Sequence, residues 1–127
     1  MSDIVVDASA VLALLNREEG FATVAASIER AAMSAVNWAE VVARLADKGV
    51  PAEAISQVLG QLGLTVVPFD ATLAHIAGLL CASTRGQGLS LGDRACLALA
   101  QHLHLPALTA DRAWQGVQVG VTIQFIR

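Results

Sequence analysis

The sequence predicts an α/β fold built on a largely parallel sheet with helices covering both faces. Short β-branched runs alternate with helical segments along the whole length, as strands joined by helical crossovers do. No linker, repeat or low-complexity stretch interrupts the alternation, and 127 residues fit a single domain, 1–127.

Ile4 to Val6 is a β-branched run ending at Asp7, and Ala8 to Leu15 continue with good helix formers until Asn16 and the charges after it. Phe21, Val24, Ala25 and Ile28 recur at helical spacing, so Phe21 to Ala31 reads as an amphipathic helix and Met33 to Val36 as a short strand. Asn37 to Lys48 is helical, with Trp38, Val41, Val42 and Leu45 on one face and Gly49 as its stop. Pro51 and Glu53 open a helix that carries Ile55, Val58, Leu59 and Leu62, and Gly63 closes it before a strand at Leu64 to Val67. Asp70 caps a helix running to about Ala82, and Gly86 and Gly88 mark a flexible segment. Ser90 starts a very apolar helix through Leu103, and Ala107 to Thr109 and Thr122 to Ile126 are the last strands.

Hydrophobic residues make up 55% of the chain and charged ones 15%, so apolar surface should remain exposed and seek a partner. The net charge of -3 argues against a free-standing basic nucleic-acid module. That balance reverses locally if carboxylates hold divalent cations, which turn an acidic hole into a phosphate trap. Cys81 and Cys96 lie in apolar stretches with no metal-ligand spacing and read as reduced core residues. The first residues lack a basic n-region, and no apolar run reaches the ~18 residues of a membrane span, so a cytoplasmic protein is expected.

Four acids, Asp7, Glu40, Asp93 and Asp111, stand out by position. Asp7 and Asp111 end strands, while Glu40 and Asp93 lie in the first turns of helices that begin at the same sheet edge. Ligands bind at that carboxyl edge in open α/β sheets. Each acid also has a local explanation. Asp7 and Asp111 can cap turns or helices, Asn37-x-x-Glu40 and Ser90-x-x-Asp93 fit capping boxes, and Glu40 can pair with Arg44. If the four converge, their mutual repulsion calls for a cation, and an all-oxygen set without His or Cys suits Mg²⁺ or Mn²⁺. Ser9, Asn37 and Thr109 are candidate supports, as hydroxyl or amide partners of the acids or as backbone caps. Arg94 and Arg112, each beside a site aspartate, could steer a phosphodiester inward or simply be solvated. The chemistry such a set allows is metal-assisted phosphodiester hydrolysis with one or two ions. His75, His102 and His104 read as surface or satisfied histidines.

The segments Ile4-Val5-Val6-Asp7-Ala8-Ser9-Ala10, Ser34-Ala35-Val36-Asn37-Trp38-Ala39-Glu40-Val41, Leu91-Gly92-Asp93-Arg94 and Leu108-Thr109-Ala110-Asp111-Arg112-Ala113-Trp114 resemble PIN-domain ribonucleases. Within them, the similarity is to the VapC-type toxins of toxin-antitoxin pairs. The four segments occur in family order and span essentially the full chain. The resemblance implies a three-layer α/β/α sandwich, with the four acids as metal ligands and catalytic groups. It further implies endonucleolytic cleavage of structured RNA such as tRNA or ribosomal RNA, leaving 5′-phosphate and 3′-hydroxyl ends. A homodimer and a small VapB-type antitoxin as partner are also implied. The helices at Phe21 to Ala31 and Pro51 to Leu62 could line a groove for an antitoxin helix, or belong to the ordinary core.

Other readings of the same fold fare worse. A receiver domain needs an acidic pair after the first strand and a lysine after the fifth, whereas Asp7 has no acidic neighbour and Lys48, the sole lysine, lies in a helix. An aspartate-nucleophile phosphatase wants an acid at position 9, where Ser9 stands. The alternative from another class is a non-catalytic module of the same fold, working through protein contacts with the acids as caps.

Overall fold

The structure is a computed structural model that describes residues 1–127. It holds five strands, β1 (Ile4–Val6), β2 (Ala31–Ser34), β3 (Thr65–Val67), β4 (Ala107–Thr109) and β5 (Ile123–Phe125). Six helices join them: α1 (Ala8–Asn16), α2 (Phe21–Ser27), α3 (Ala35–Asp47), α4 (Ala52–Gly60), α5 (Ala71–Ser83) and α6 (Leu91–Leu103). The strands form one parallel sheet in the order β3-β2-β1-β4-β5. The chain therefore winds outward from β1 to β3 and then returns to the other side of β1, which makes the β1–β4 seam a switch point.

Alternation along each strand sorts the side chains into two cores. Ile4, Val6, Ala31, Met33 and Leu108 face α1 to α4, while Val5, Ala32 and Ala107 face α5 and α6. A three-layer α/β/α sandwich results. Trp114 joins the second core fully buried, from a 3-10 turn at Arg112–Trp114 that the periodicity did not signal. No helix is long and apolar enough to cross a membrane.

Three expectations need correction. The helix from Phe21 ends at Ser27, passes into a 3-10 turn at Ile28–Arg30, and yields Ala31 to β2, because ladder pairing with β1 and β3 claims residues 31–34. Ser34, not Asn37, caps α3: its Oγ accepts from the Val36 N–H at 3.2 Å, so Asn37 lies inside the first turn and Glu40 in the second. Cys81 is exposed, because α5 buries only Leu73, Ala77 and Leu80; Cys96 is buried as expected.

Gly20 ties α2 to the chain end. It adopts φ +91°, and a Cβ there would overlap the Ile126 carbonyl oxygen, a backbone atom that cannot swing aside. Gly20→Ala should therefore destabilise the fold by about 2 kcal/mol or more, the left-handed penalty plus the clash. Urea unfolding measures this, and an unchanged midpoint would refute the close approach.

Candidate active site

Asp7 follows β1 with extended backbone and caps α1, its Oδ1 accepting from the Ala10 N–H at 2.9 Å. The residue is 4% exposed. Hydroxyl donors surround it. Thr109 Oγ1 donates to Oδ2 at 2.6 Å, and Ser9 Oγ lies 2.8 and 2.9 Å from the two oxygens. Those hydroxyls are themselves anchored: Ser9 Oγ accepts from the Ala110 N–H at 2.9 Å and Thr109 Oγ1 from the Asp111 N–H at 3.0 Å. Ser9 and Thr109 thus stitch β1 to β4 across the switch point.

Asp111 caps the 3-10 turn after β4, with Oδ1 accepting from the Ala113 N–H at 2.9 Å. Asp93 completes a capping box with Ser90, its Oδ2 accepting from the Ser90 N–H at 2.9 Å. Glu40 projects from α3 and is held by Asn37, whose Nδ2 donates to Glu40 Oε1 at 2.8 Å and to the Gly92 carbonyl at 3.0 Å. Gly92 explains why that carboxylate can reach α6, since a Cβ there would overlap both Glu40 carboxylate oxygens.

These groups share one cleft of about 210 Å³, lined by Asp7, Ala8, Ser9, Leu12, Asn37, Glu40, Arg44, Asp93 and Asp111. The four acids singled out by sequence are thereby brought together, as are Ser9 and Asn37, while Thr109 lies behind Asp7. Arg94 and Arg112 are not in the lining. Arg94 donates through Nη1 to the Ala77 carbonyl at 3.0 Å, and the Arg112 guanidinium stacks 4.8 Å from the Phe125 ring centre. Sequence reasoning missed Arg44 as a cleft residue, although its i+4 spacing from Glu40 was the available signal.

Burial raises the Asp7 pKa from 3.8 to about 6, against the pull of Thr109, Ala10 and Ser9, and the Asp93 charge pushes it further up. Burial also drives the Cys96 thiol well above its ordinary range, helped by Asp7, Asp93 and Glu40. Asn37 Oδ1 is buried without a partner. Asp93 Oδ1, Asp111 Oδ2 and Glu40 Oε2 take no hydrogen bond from the protein. No three of the chain's His, Cys, Asp or Glu side chains stand close enough together, as placed, to hold one ion between them. The donor chemistry is all oxygen, which suits a hard divalent cation that keeps several waters and needs few protein ligands.

A PIN domain profile matches residues 4–119. No curated protein sequence matches the chain. Among solved structures, it resembles the DNA-bound VapBC of Salmonella typhimurium, with TM-score 0.79, 18% identity and 100% of each chain covered. Mycobacterium tuberculosis VapC20, described as a sarcin-ricin loop cleaving toxin, gives TM-score 0.75 and 20% identity over 94% of this chain and 99% of that one. FitAcB from Neisseria gonorrhoeae gives TM-score 0.73 and 22% identity over 97% of both.

A carboxylate whose pKa rises on folding stabilises the fold below its unfolded value and loses that contribution as pH rises through the folded one. Wild type should carry this penalty above pH 6 and be free of it near pH 4, with an upper bound of about 3 kcal/mol set by the gap between 3.8 and about 6. Cation-free Asp7→Asn should then be the more stable protein at pH 7.5, its advantage fading near pH 4. A variant less stable than wild type at pH 7.5 would contradict the strained carboxylate.

Gly92→Ala separates site from fold in another way. Alanine favours the helix by up to about 1 kcal/mol, and the group in its way is the movable end of Glu40. Thermal stability should hold or rise while divalent-cation affinity, read by calorimetry, falls; unchanged affinity would mean that Glu40 has no part in cation binding.

Proposed function

The chain belongs to the PIN-domain family, and from that premise we propose that it is a divalent-cation-dependent endoribonuclease, the toxin of a toxin–antitoxin pair. The observation that carries this reading is the meeting of Asp7, Glu40, Asp93 and Asp111 in one cleft from four separate segments. A capped but non-catalytic fold has no need to gather its carboxylates, because each cap works alone.

Asp7, Asp93 and Asp111, with Glu40, would hold the ion. When bound, Mg²⁺ or Mn²⁺ supplies Lewis-acid activation of water and offsets charge at the phosphate. Ser9 and Thr109 hold the Asp7 carboxylate in one orientation. Asn37 fixes Glu40 through Oε1 and leaves Oε2 free to accept the proton of the attacking water. The phosphodiester breaks to leave a 5′-phosphate and a 3′-hydroxyl, and structured RNA, tRNA or ribosomal RNA, is the proposed substrate. VapC20, a sarcin-ricin loop cleaving toxin, supports that choice.

A small VapB-type antitoxin is the proposed partner, in keeping with the toxin–antitoxin complexes that share the fold. Its seat would be the apolar groove of about 310 Å³ between α3 and α4, lined by Trp38, Val42, Ala46, Ile55 and Leu59 among others. The expected contribution of residues 21–31 is absent, since α3 supplies that wall. Leu79, 64% exposed on α5, and Leu91, 51% exposed on α6, support a homodimer.

Purified protein with Mg²⁺ or Mn²⁺ should cut labelled structured RNAs into discrete fragments. The fragments should vanish with EDTA and with Asp7→Asn. Equal behaviour of wild type and variant on every RNA, with no cation bound in calorimetry, would make the protein a binding module instead.

A further inference from the structure

Arg44 is the only cationic side chain in the lining of the acidic cleft. It stands one turn after Glu40 on α3, the spacing at which an ion pair is the default. That pair does not form. Glu40 Oε1 is taken by Asn37 and lies over Gly92, and the ion pairs of the chain are Arg30–Asp3 and Arg127–Glu18. Arg44 is exposed at the cleft, and none of the five N–H donors of its guanidinium is committed to the protein. Arg94 and Arg112, which flank site aspartates in sequence, are already occupied by Ala77 and Phe125.

We propose that Arg44 is the phosphate clamp of this cleft, gripping a backbone phosphate of the incoming RNA while the four carboxylates are left to the cation. The inference deepens the nuclease reading and rests on it. A chain with net charge -3 offers no overall electrostatic attraction to RNA, which gives a cation placed at the site itself more weight. Arginine suits this role because its planar fork meets two phosphate oxygens at once, which lysine, a point charge, cannot do. An exposed side chain on the second half of α3 can also follow the backbone without disturbing Asn37 or Glu40.

The test is steady-state cleavage of two fluorescein-labelled RNA hairpins of different loop sequence, with Mn²⁺, by wild type, Arg44→Ala and Arg44→Lys. For Arg44→Ala, KM should rise about tenfold and equally for both hairpins, and the salt dependence of log KM should lose about one phosphate contact. Arg44→Lys should recover part of the loss. Mn²⁺ titrated by calorimetry should bind Arg44→Ala no more weakly than wild type, because a like charge has left the cleft. Mn²⁺ affinity falling together with RNA affinity would overturn the clamp and make Arg44 a support for the acids. An unchanged KM and salt slope in an active enzyme would overturn it and leave the nuclease standing, whereas a wild type that cuts no RNA removes the nuclease reading and the clamp with it.

Discussion

Placing a carboxylate at the buried β1–β4 seam is the constraint from which the rest of the site follows. Asp7 is nearly out of solvent, and its charge there is supported only by hydroxyls and one backbone N–H. Neutral donors soften the desolvation penalty without removing it, as the pKa near 6 records. Two strands must therefore stay in register at their C-terminal ends. Val6 pairs with Leu108, which brings Thr109 within 2.6 Å of Asp7 and lets Ser9 bind the Ala110 N–H. Slipping the ladder by one residue would turn Thr109 to the other face of the sheet and leave the carboxylate without its shortest hydrogen bond.

The second half of the site depends on a different contact, the closeness of α3 to the start of α6. Asn37 bridges the two by donating to Glu40 and to Gly92 together, and its own burial makes each of those bonds matter. Gly92 keeps the approach open. The acids on the two sides are thus positioned independently, by strand pairing for Asp7 and Asp111 and by helix packing for Glu40 and Asp93. At Asp7 stability is given up to keep a carboxylate out of solvent, a pattern common at functional sites.

Much of this was legible in the sequence, because the fold and the acids leave local marks. β-branched runs, strand-end aspartates and the Ser90-x-x-Asp93 box gave the alternation of elements and the correct cap of α6. The cap of α3 was misplaced, since Ser34 and Asn37 are both good cap residues and only β2 pairing decides where the strand stops. The same tertiary effect shortened the helix after Phe21. Arginines were the least legible part. Neighbourhood in sequence favoured Arg94 and Arg112, but a residue one step along a helix points about 100° away from its neighbour, whereas Arg44 at i+4 returns to the face of Glu40. Cys81 failed for a related reason: α5 is apolar nearly all round, so periodicity could not say which side faces the core.

Capping and ligation, set against each other as explanations of these acids, turn out to be compatible geometrically. Asp93 uses Oδ2 for the Ser90 N–H and Asp111 uses Oδ1 for the Ala113 N–H, which leaves one oxygen of each uncommitted. A cap fixes the rotamer of its side chain, and an acid with a fixed rotamer loses less conformational entropy when it binds a cation. Helix N-termini carry partial positive charge, which also lets carboxylates accumulate at this edge. The cap motifs visible in the sequence are therefore part of how a repulsive cluster is assembled, and finding one beside a strand-end aspartate does not count against a catalytic role.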